Sequence, residues 1–298
     1  MINYVREIGN RKQCGKMKNI LQRNPAAMNM ARYNILLTND DGIQSPGLWT
    51  AARALSELGF VHVAAPREQF SGAGRSLPST SDGLIHSHQM HVNDKDWTVY
   101  AVGGTPAQAV LHAVLEILPQ YPDLVVSGIN YGENLGTGIT VSGTVGAALE
   151  AAALGIPSLA ISLETEQRYH LSYSPNVDFN AAGYFTAYFG RLMLKKRLPQ
   201  DVCVLKVDVP ASATPGTPWM ITRLSHLRYY EPTPPERKSW DQPGAVGYRL
   251  SGDPRQDDKD TDVYAMRVRR LVSVTPLSLD MTSRVDLEEL NKMLRSDP

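Results

Sequence analysis

The chain has 298 residues, 42% of them hydrophobic and 20% charged, which is the composition of an ordinary globular protein. Its 30 lysine and arginine residues balance its 30 aspartate and glutamate residues, so the composition gives no support to a nucleic-acid or membrane partner. Its two cysteines, Cys14 and Cys203, predict neither a disulfide framework nor a zinc cluster, and we expect a cytoplasmic protein.

Residues 1–30 differ from the rest of the chain. They hold six basic residues against one acidic residue, and they lack the apolar core of a secretory signal. We interpret them as an N-terminal extension, either a disordered tail or the result of a start codon assigned too early. A basic amphipathic targeting segment is the less favoured alternative.

Residues 31–210 alternate between predicted strands and helices. A strand at 34–38, a helix at 46–58 and a strand at 60–65 form a βαβ unit, which predicts a parallel sheet. The remaining elements are strands at 84–91 and 97–102, a helix at 105–118, a strand at 123–127, a helix after 144, a strand at 158–163, a helix at 176–196 and a strand at 202–207. This order predicts an α/β core with a doubly wound, mostly parallel, Rossmann-like sheet.

Residues 211–298 have a different character. Eight prolines fall between 209 and 262, and apolar periodicity is weak there. Strands are predicted at 219–224, 247–251 and 271–276, and a helix at 286–294. We predict an extended C-terminal hairpin arm, followed by a returning strand and a terminal helix.

Two adjacent carboxylates, Asp40 and Asp41, follow the first predicted strand. They repel each other unless a cation lies between them, and the carboxyl ends of parallel strands are where open α/β sheets bind ligands. Oxygen donors suit a hard divalent cation, so the pair predicts a metal site. Because Asn-Asp-Asp-Gly is also good turn chemistry, a solvated turn is the alternative.

Further polar loops follow other strands or lead into helices, at 71–76, 104–105, 130–134 and 142–144. In a parallel sheet these loops converge with Asp40 and Asp41 at one edge. Helix N-termini and Arg75 suit an anion such as phosphate. A hard metal beside a phosphate pocket indicates phosphoryl chemistry.

Six segments resemble, in chain order, the SurE family of stationary-phase survival proteins, which are metal-dependent 5'/3'-nucleotidases. The segments are NILLTNDDGIQSPGL (34–48), APREQFSGAG (65–74), GTPA (104–107), SGINYGEN (127–134), SGTVGAA (142–148) and VSVTPL (272–277). The resemblance implies hydrolysis of nucleoside 5'- and 3'-monophosphates to nucleoside and phosphate. Some members also cleave short polyphosphate. The resemblance further implies a homodimer or homotetramer whose C-terminal arms exchange between subunits.

The resemblance also implies the site residues. One divalent metal per subunit, Mg²⁺ or Mn²⁺ with Ca²⁺ as a further cation that fits, is held by Asp40, Asp41, Ser71 and Asn130. Asp40, Asp41 and Asn39 are the candidate catalytic residues, and the sequence leaves open which aspartate is the general base. The candidate substrate and phosphate ligands are Asn39, Gly72, Asn130, Asn134, Ser142, Gly143 and Thr144.

Several alternatives stay open. The protein can instead be a non-catalytic nucleotide-binding regulator or a metal-dependent amide hydrolase, although amide hydrolases of this kind typically add histidine ligands. Asn39 can equally cap the backbone, and Asn130 can equally be a turn residue that tolerates positive φ. The acidic run Asp257, Asp258, Asp260 and Asp262 is expected in solvent or at a subunit contact.

Overall fold

The computed structural model describes residues 33–250 and 252–296, so the predicted extension at 1–30 lies outside the described residues. The strands are β1 (Tyr33–Thr38), β2 (Gly59–Pro66), β3 (Ile85–Val92), β4 (Lys95–Val102), β5 (Leu124–Tyr131), β6 (Ser158–Leu163), β7 (Val204–Val209), β8 (Trp219–Ile221), β9 (Tyr230–Thr233), β10 (Gly247–Leu250) and β11 (Val272–Leu277). The α-helices are α1 (Pro46–Leu55), α2 (Pro106–His112), α3 (Gly143–Ala153), α4 (Asn180–Lys195), α5 (Asp262–Arg267) and α6 (Leu287–Arg295).

A nine-stranded sheet organises the fold, in the order β3-β4-β2-β1-β5-β6-β7-β11-β8. Strand β1 pairs with β5, β5 with β6 and β6 with β7, all in parallel. Strand β3 runs antiparallel to β4, and β11 runs antiparallel to β7. The sheet is therefore mostly parallel, which confirms the predicted α/β class.

Helices cover both faces of this sheet. On one face, Leu36 of β1 and Val125 of β5 pack in one cluster with Val110 of α2 and Ala147 of α3. The opposite face takes α1 and α4, which pack against each other and against β5. Successive strand residues point to opposite faces, so strands covered on both sides must be apolar throughout, as β1 is at its buried end.

Some predicted boundaries were wrong. Helix α1 ends at Leu55 instead of at residue 58, and β2 begins at Gly59, one residue before the predicted strand. Strand β5 runs on through the Gly/Asn-rich stretch to Tyr131, because pairing with β6 resumes after a bulge between Ser127 and Asn130. Strand β9 and helix α5 are absent from the predicted elements, and both are short segments amid polar residues.

The segment after residue 210 contributes to two sheets. Strands β8 and β11 complete the nine-stranded sheet, whereas β9 and β10 form a separate antiparallel pair. Among the described residues, none of the helices has both the length and the apolar character needed to cross a membrane.

Helix α1 lies very close to β5 at Gly47. A Cβ on Gly47 would stand 2.2 Å from the carbonyl oxygen of Ile129. We expect Gly47→Ala to lower the free energy of unfolding by about 1–3 kcal/mol through overpacking, although alanine is the better helix former. Gly138→Ala is the matched control, because a Cβ there meets nothing within 4 Å. Urea unfolding measures both, and equal stability of the two variants would show that the close approach is not required.

Candidate active site

The loop after β1 is braced by Asn39. Its side-chain amide donates to the carbonyl oxygen of Gly42 (3.0 Å) and accepts from the Gly42 N–H (3.2 Å). Asn39 is fully buried, and Gly42 adopts a φ of 93°, which favours glycine. The structure thus places Asn39 in backbone hydrogen bonds, which is the alternative to a ligand-binding role.

Asp40 lies against the first turn of α3. Thr144 Oγ1 donates a hydrogen bond to Asp40 Oδ1, and both side chains are buried. A Cβ on Gly143 would stand 2.7 Å from the Asp40 Cβ, so glycine is what allows the aspartate to reach the helix end. The structure brings Asp40, Gly143 and Thr144 together, as the sequence predicts for one sheet edge.

Asp41 is held by three groups from different parts of the chain. Gln69 Nε2 donates to Oδ1 (3.0 Å), and the Tyr131 N–H at the end of β5 donates to Oδ2 (3.1 Å). The Tyr173 hydroxyl donates to the main-chain carbonyl of Asp41 (2.7 Å). Gln69 also donates to the carbonyl of His170 (2.8 Å), which fixes its own position. Sequence reasoning missed these three partners of Asp41, although Gln69 and Tyr131 fall within the quoted motifs.

The electrostatics of the two aspartates favour a cation. Burial raises the pKa of Asp40, and burial together with the neighbouring Asp40 charge raises the pKa of Asp41 well above its usual range. Among the described residues, neither carboxylate forms an ion pair with a lysine, arginine or histidine. Two adjacent buried carboxylates without a cationic partner fit a divalent metal.

The other two predicted metal ligands flank this pair. Phe70 N–H donates to the Asp40 carbonyl (2.7 Å), which places the exposed Ser71 next to the aspartate loop. Asn130 lies near the end of β5, and its amide nitrogen donates to the Gly132 carbonyl (2.7 Å), which leaves Oδ1 as its acceptor for a cation. The described residues contain no group of three or more His, Cys, Asp or Glu side chains that could hold a metal. The candidate donor set is therefore oxygen from mixed side chains, which suits a hard cation.

The predicted phosphate ligands divide into two groups. Ser142 caps α3 by accepting from the Val145 N–H (3.1 Å), and the Gly143 and Thr144 N–H groups at the same helix end donate to the Asp40 carboxylate. Gly72 is exposed, and a Cβ on it would meet nothing within 4 Å. Asn134 is turned inward instead, because its side-chain nitrogen donates to Ser162 Oγ (2.8 Å).

A buried ion cluster fixes the loop that contains Asn134. Lys206 Nζ donates to Asp208, to Asp262 (3.1 Å) and to the Asn134 carbonyl (2.8 Å). Asp208 in turn accepts from the Asn134 N–H (2.8 Å), and Asp262 accepts from the Gly136 N–H (3.0 Å). The three charged side chains are fully buried. The loop between β5 and α3 is thus bound to the interior by charge-assisted hydrogen bonds.

The charge state of the cluster follows from its partners. Burial alone would lower the pKa of Lys206, but the facing Asp208 and Asp262 carboxylates outweigh it and raise that pKa, so the ammonium stays charged. Lys206 and Asp208 are two apart on a buried strand and therefore share a face. Two charges at that spacing among apolar residues are the signal that could have revealed the cluster.

The expectation for the acidic run was wrong at Asp262. Asp258 and Asp260 are exposed and pair with Arg223 (2.9 Å each), as a solvated run would. Asp262 is fully buried at the start of α5 because Lys206 supplies its counter-charge. The partner lies far away in sequence, so the local composition gave no sign of it.

Comparisons with known proteins agree on one family. A family model described as "Survival protein SurE" matches residues 35–231. The chain is 44% identical to the 5'-nucleotidase SurE of Thermococcus kodakarensis over 265 residues, which is 89% of this chain and 99% of that protein. It is 38% identical to the 5'-nucleotidase SurE of Methanosarcina acetivorans over 267 residues, 87% of this chain and 97% of that protein. The crystal structure of the SurE protein from Aquifex aeolicus is similar with a TM-score of 0.69 and 31% identity, covering 88% of this chain and 99% of that one.

The buried cluster gives a stability prediction. We expect Lys206→Met to lower the free energy of unfolding by about 3–5 kcal/mol, because two buried carboxylates lose their counter-charge. Lys196→Met, at an exposed position just after α4, is the matched control and should change stability by less than about 0.5 kcal/mol. Denaturant unfolding of both variants measures the difference. Equal unfolding midpoints would contradict a stabilising role for the Lys206 ammonium.

Proposed function

The chain belongs to the SurE family of survival proteins, and we propose that it hydrolyses nucleoside monophosphates to nucleoside and phosphate. The observation that carries this proposal is the buried Asp40–Asp41 pair, which has no cationic partner among the described residues and lies beside the N-terminus of α3. A cation site next to a helix N-terminus is suited to a phosphate ester. Relatives named 5'-nucleotidase support the 5'-monophosphate as substrate, and we extend the proposal to 3'-monophosphates and short polyphosphate.

We propose that Asp40, Asp41, Ser71 and Asn130 hold one divalent ion, Mg²⁺ or Mn²⁺. When bound, that ion supplies positive charge for the phosphoryl oxygens in the transition state. Hydrogen bonds from Gln69 and from the Tyr131 N–H keep the Asp41 carboxylate in a fixed orientation, which lowers the cost of assembling the site.

The first turn of α3 is the proposed phosphate site. Ser142, Gly143 and Thr144 are buried at the helix start, where the helix dipole favours an anion. Gly72 leaves open space on the facing loop for the ester. Either Asp40 or Asp41 then takes the proton of the attacking water as general base, with Asn39 bracing the loop that carries both.

We propose a cytoplasmic homodimer or homotetramer that exchanges C-terminal arms. Cysteine usage supports the compartment, since the chain has only two cysteines and the described Cys203 is free. The β9–β10 hairpin is paired apart from the main sheet, and α6 exposes Leu287 and Leu294. Exposed apolar side chains on a terminal helix favour burial against a second copy.

The activity test compares wild type with Asp41→Asn. We expect phosphate release from 5'- and 3'-nucleoside monophosphates to require Mg²⁺ or Mn²⁺ and to stop with EDTA. The rate should fall by more than about 100-fold in Asp41→Asn, because losing a metal ligand reduces activity more than losing a residue that only hydrogen-bonds to a ligand. Asp96→Asn, on the exposed β3–β4 hairpin, is the matched control. Absence of release by folded wild type with every metal and nucleotide would reject the enzyme in favour of a nucleotide-binding regulator.

Metal binding has a readout that does not depend on activity. We expect Mn²⁺ to raise the melting temperature of the wild type, since it binds the folded state and relieves the repulsion between Asp40 and Asp41. The same addition should leave Asp41→Asn nearly unchanged, while Asp96→Asn behaves as wild type. A similar Mn²⁺ shift in all three proteins would place the metal elsewhere.

A further inference from the structure

A cavity of about 300 Å³ opens at the carboxyl ends of β2 and β4. Its lining includes Arg67, Phe70, Ser81, Asp82, Val102 and Gly103, and we call it the Phe70 cavity. Its volume lies at the lower end of the range for small-molecule sites, which is about 300–1,000 Å³.

The Phe70 cavity adjoins the candidate metal site. The Phe70 N–H donates to the Asp40 carbonyl (2.7 Å), and the Ile43 N–H donates to the carbonyl of Pro66 at the end of β2 (2.9 Å). Ser71, a proposed metal ligand, is the next residue after Phe70. A substrate with its phosphate at Asp40 and α3 therefore has this cavity beside it.

The cavity presents a fixed donor and acceptor side by side. Arg67 Nη2 contacts Asp82 Oδ2 (3.1 Å), and the Leu84 N–H donates to Asp82 Oδ1 (3.0 Å). The hydrogen bonds from Leu84 and Arg67 lower the pKa of Asp82, so the carboxylate is ionised at neutral pH. A Cβ on Gly103 would stand 1.8 Å from Asp82 Oδ1, so glycine provides the space in which this carboxylate lies. Both side chains keep about two fifths of their surface exposed, at 39% and 44%, which leaves their edges accessible.

We infer that the Phe70 cavity binds the nucleobase of the substrate, with the base stacked on the Phe70 ring and its polar edge against Arg67 and Asp82. This inference rests on the proposed function. A heteroaromatic base has a flat π-face that stacks on aromatic side chains, and its edge carries N–H donors together with nitrogen or oxygen acceptors. Asp82 accepts from the base N–H groups, and Arg67 donates to its acceptors. The half-buried Phe70 supplies the apolar face.

The test compares substrates with and without a base. We measure kcat/KM for AMP and GMP and for ribose 5-phosphate, which keeps the sugar and phosphate and lacks the base. Phe70→Leu should lower the ratio of nucleotide to ribose 5-phosphate about tenfold, which is about 1.4 kcal/mol, mainly through the nucleotide KM. Asp82→Asn should lower the same ratio. Phe60→Leu, the same substitution at the other end of β2, is the matched control and should leave the ratio at its wild-type value.

Unchanged ratios in both Phe70→Leu and Asp82→Asn would overturn the inference, since equal losses on both substrates indicate a structural role only. Calorimetry with free adenosine and guanosine tests the cavity without turnover. Binding by wild type that weakens about tenfold in Phe70→Leu supports the inference, and lack of binding by wild type overturns it. Nucleoside binding without phosphate release from any nucleotide would reject the proposed hydrolysis and still support a base site at Phe70.

Discussion

The candidate site depends on the ion pairs and hydrogen bonds of the Lys206 ammonium group. This group lies between two fully buried carboxylates and also binds the backbone of the loop between β5 and α3. The loop leads directly into the helix start that supports Asp40. Because a buried charge without a partner is very unfavourable, the position of this loop follows from the positions of β7 and α5. Electrostatic balance in the interior thereby sets the geometry at the sheet edge.

The structure contains two pairs of buried carboxylates that differ in whether a cationic side chain faces them. Asp208 and Asp262 share an internal lysine, so both carboxylates have a cationic partner within the fold. Asp40 and Asp41 are also buried, but among the described residues they receive only hydrogen bonds from neutral groups. Hydrogen bonds orient a carboxylate without cancelling its charge. This contrast distinguishes the structural pair, Asp208 and Asp262, from Asp40 and Asp41, which are suited to an external cation. It also explains why the Asp40–Asp41 pair lowers the stability of the fold while no cation is bound.

The sequence predicted the parts of the fold whose signals are local. Buried strands such as β1 and β6 are largely apolar runs, and Thr105 with Pro106 indicates the start of α2. The Asp40–Asp41 motif also predicted its own place at the end of a strand. Two features depended on distant partners and were missed. Strand β5 continues past Ser127 only because β6 offers a register beyond the bulge, and Asp262 is buried only because Lys206 faces it. For the individual ligands, the sequence supplied the residue types, but it could not show that Asn39 is engaged with Gly42 and Asn134 with Ser162.

Strand β11 lies inside the nine-stranded sheet, between β7 and β8, although it follows both of them and every other strand of the described residues in sequence. During synthesis from the N-terminus, β7 therefore keeps an unpaired edge until residues 272–277 have emerged, and such edges favour pairing with other chains. The second carboxylate partner of Lys206 also comes late, because Asp262 begins the helix that immediately precedes β11. The order of synthesis thus leaves both the sheet and its buried ion cluster incomplete until residues 262–277 have left the ribosome.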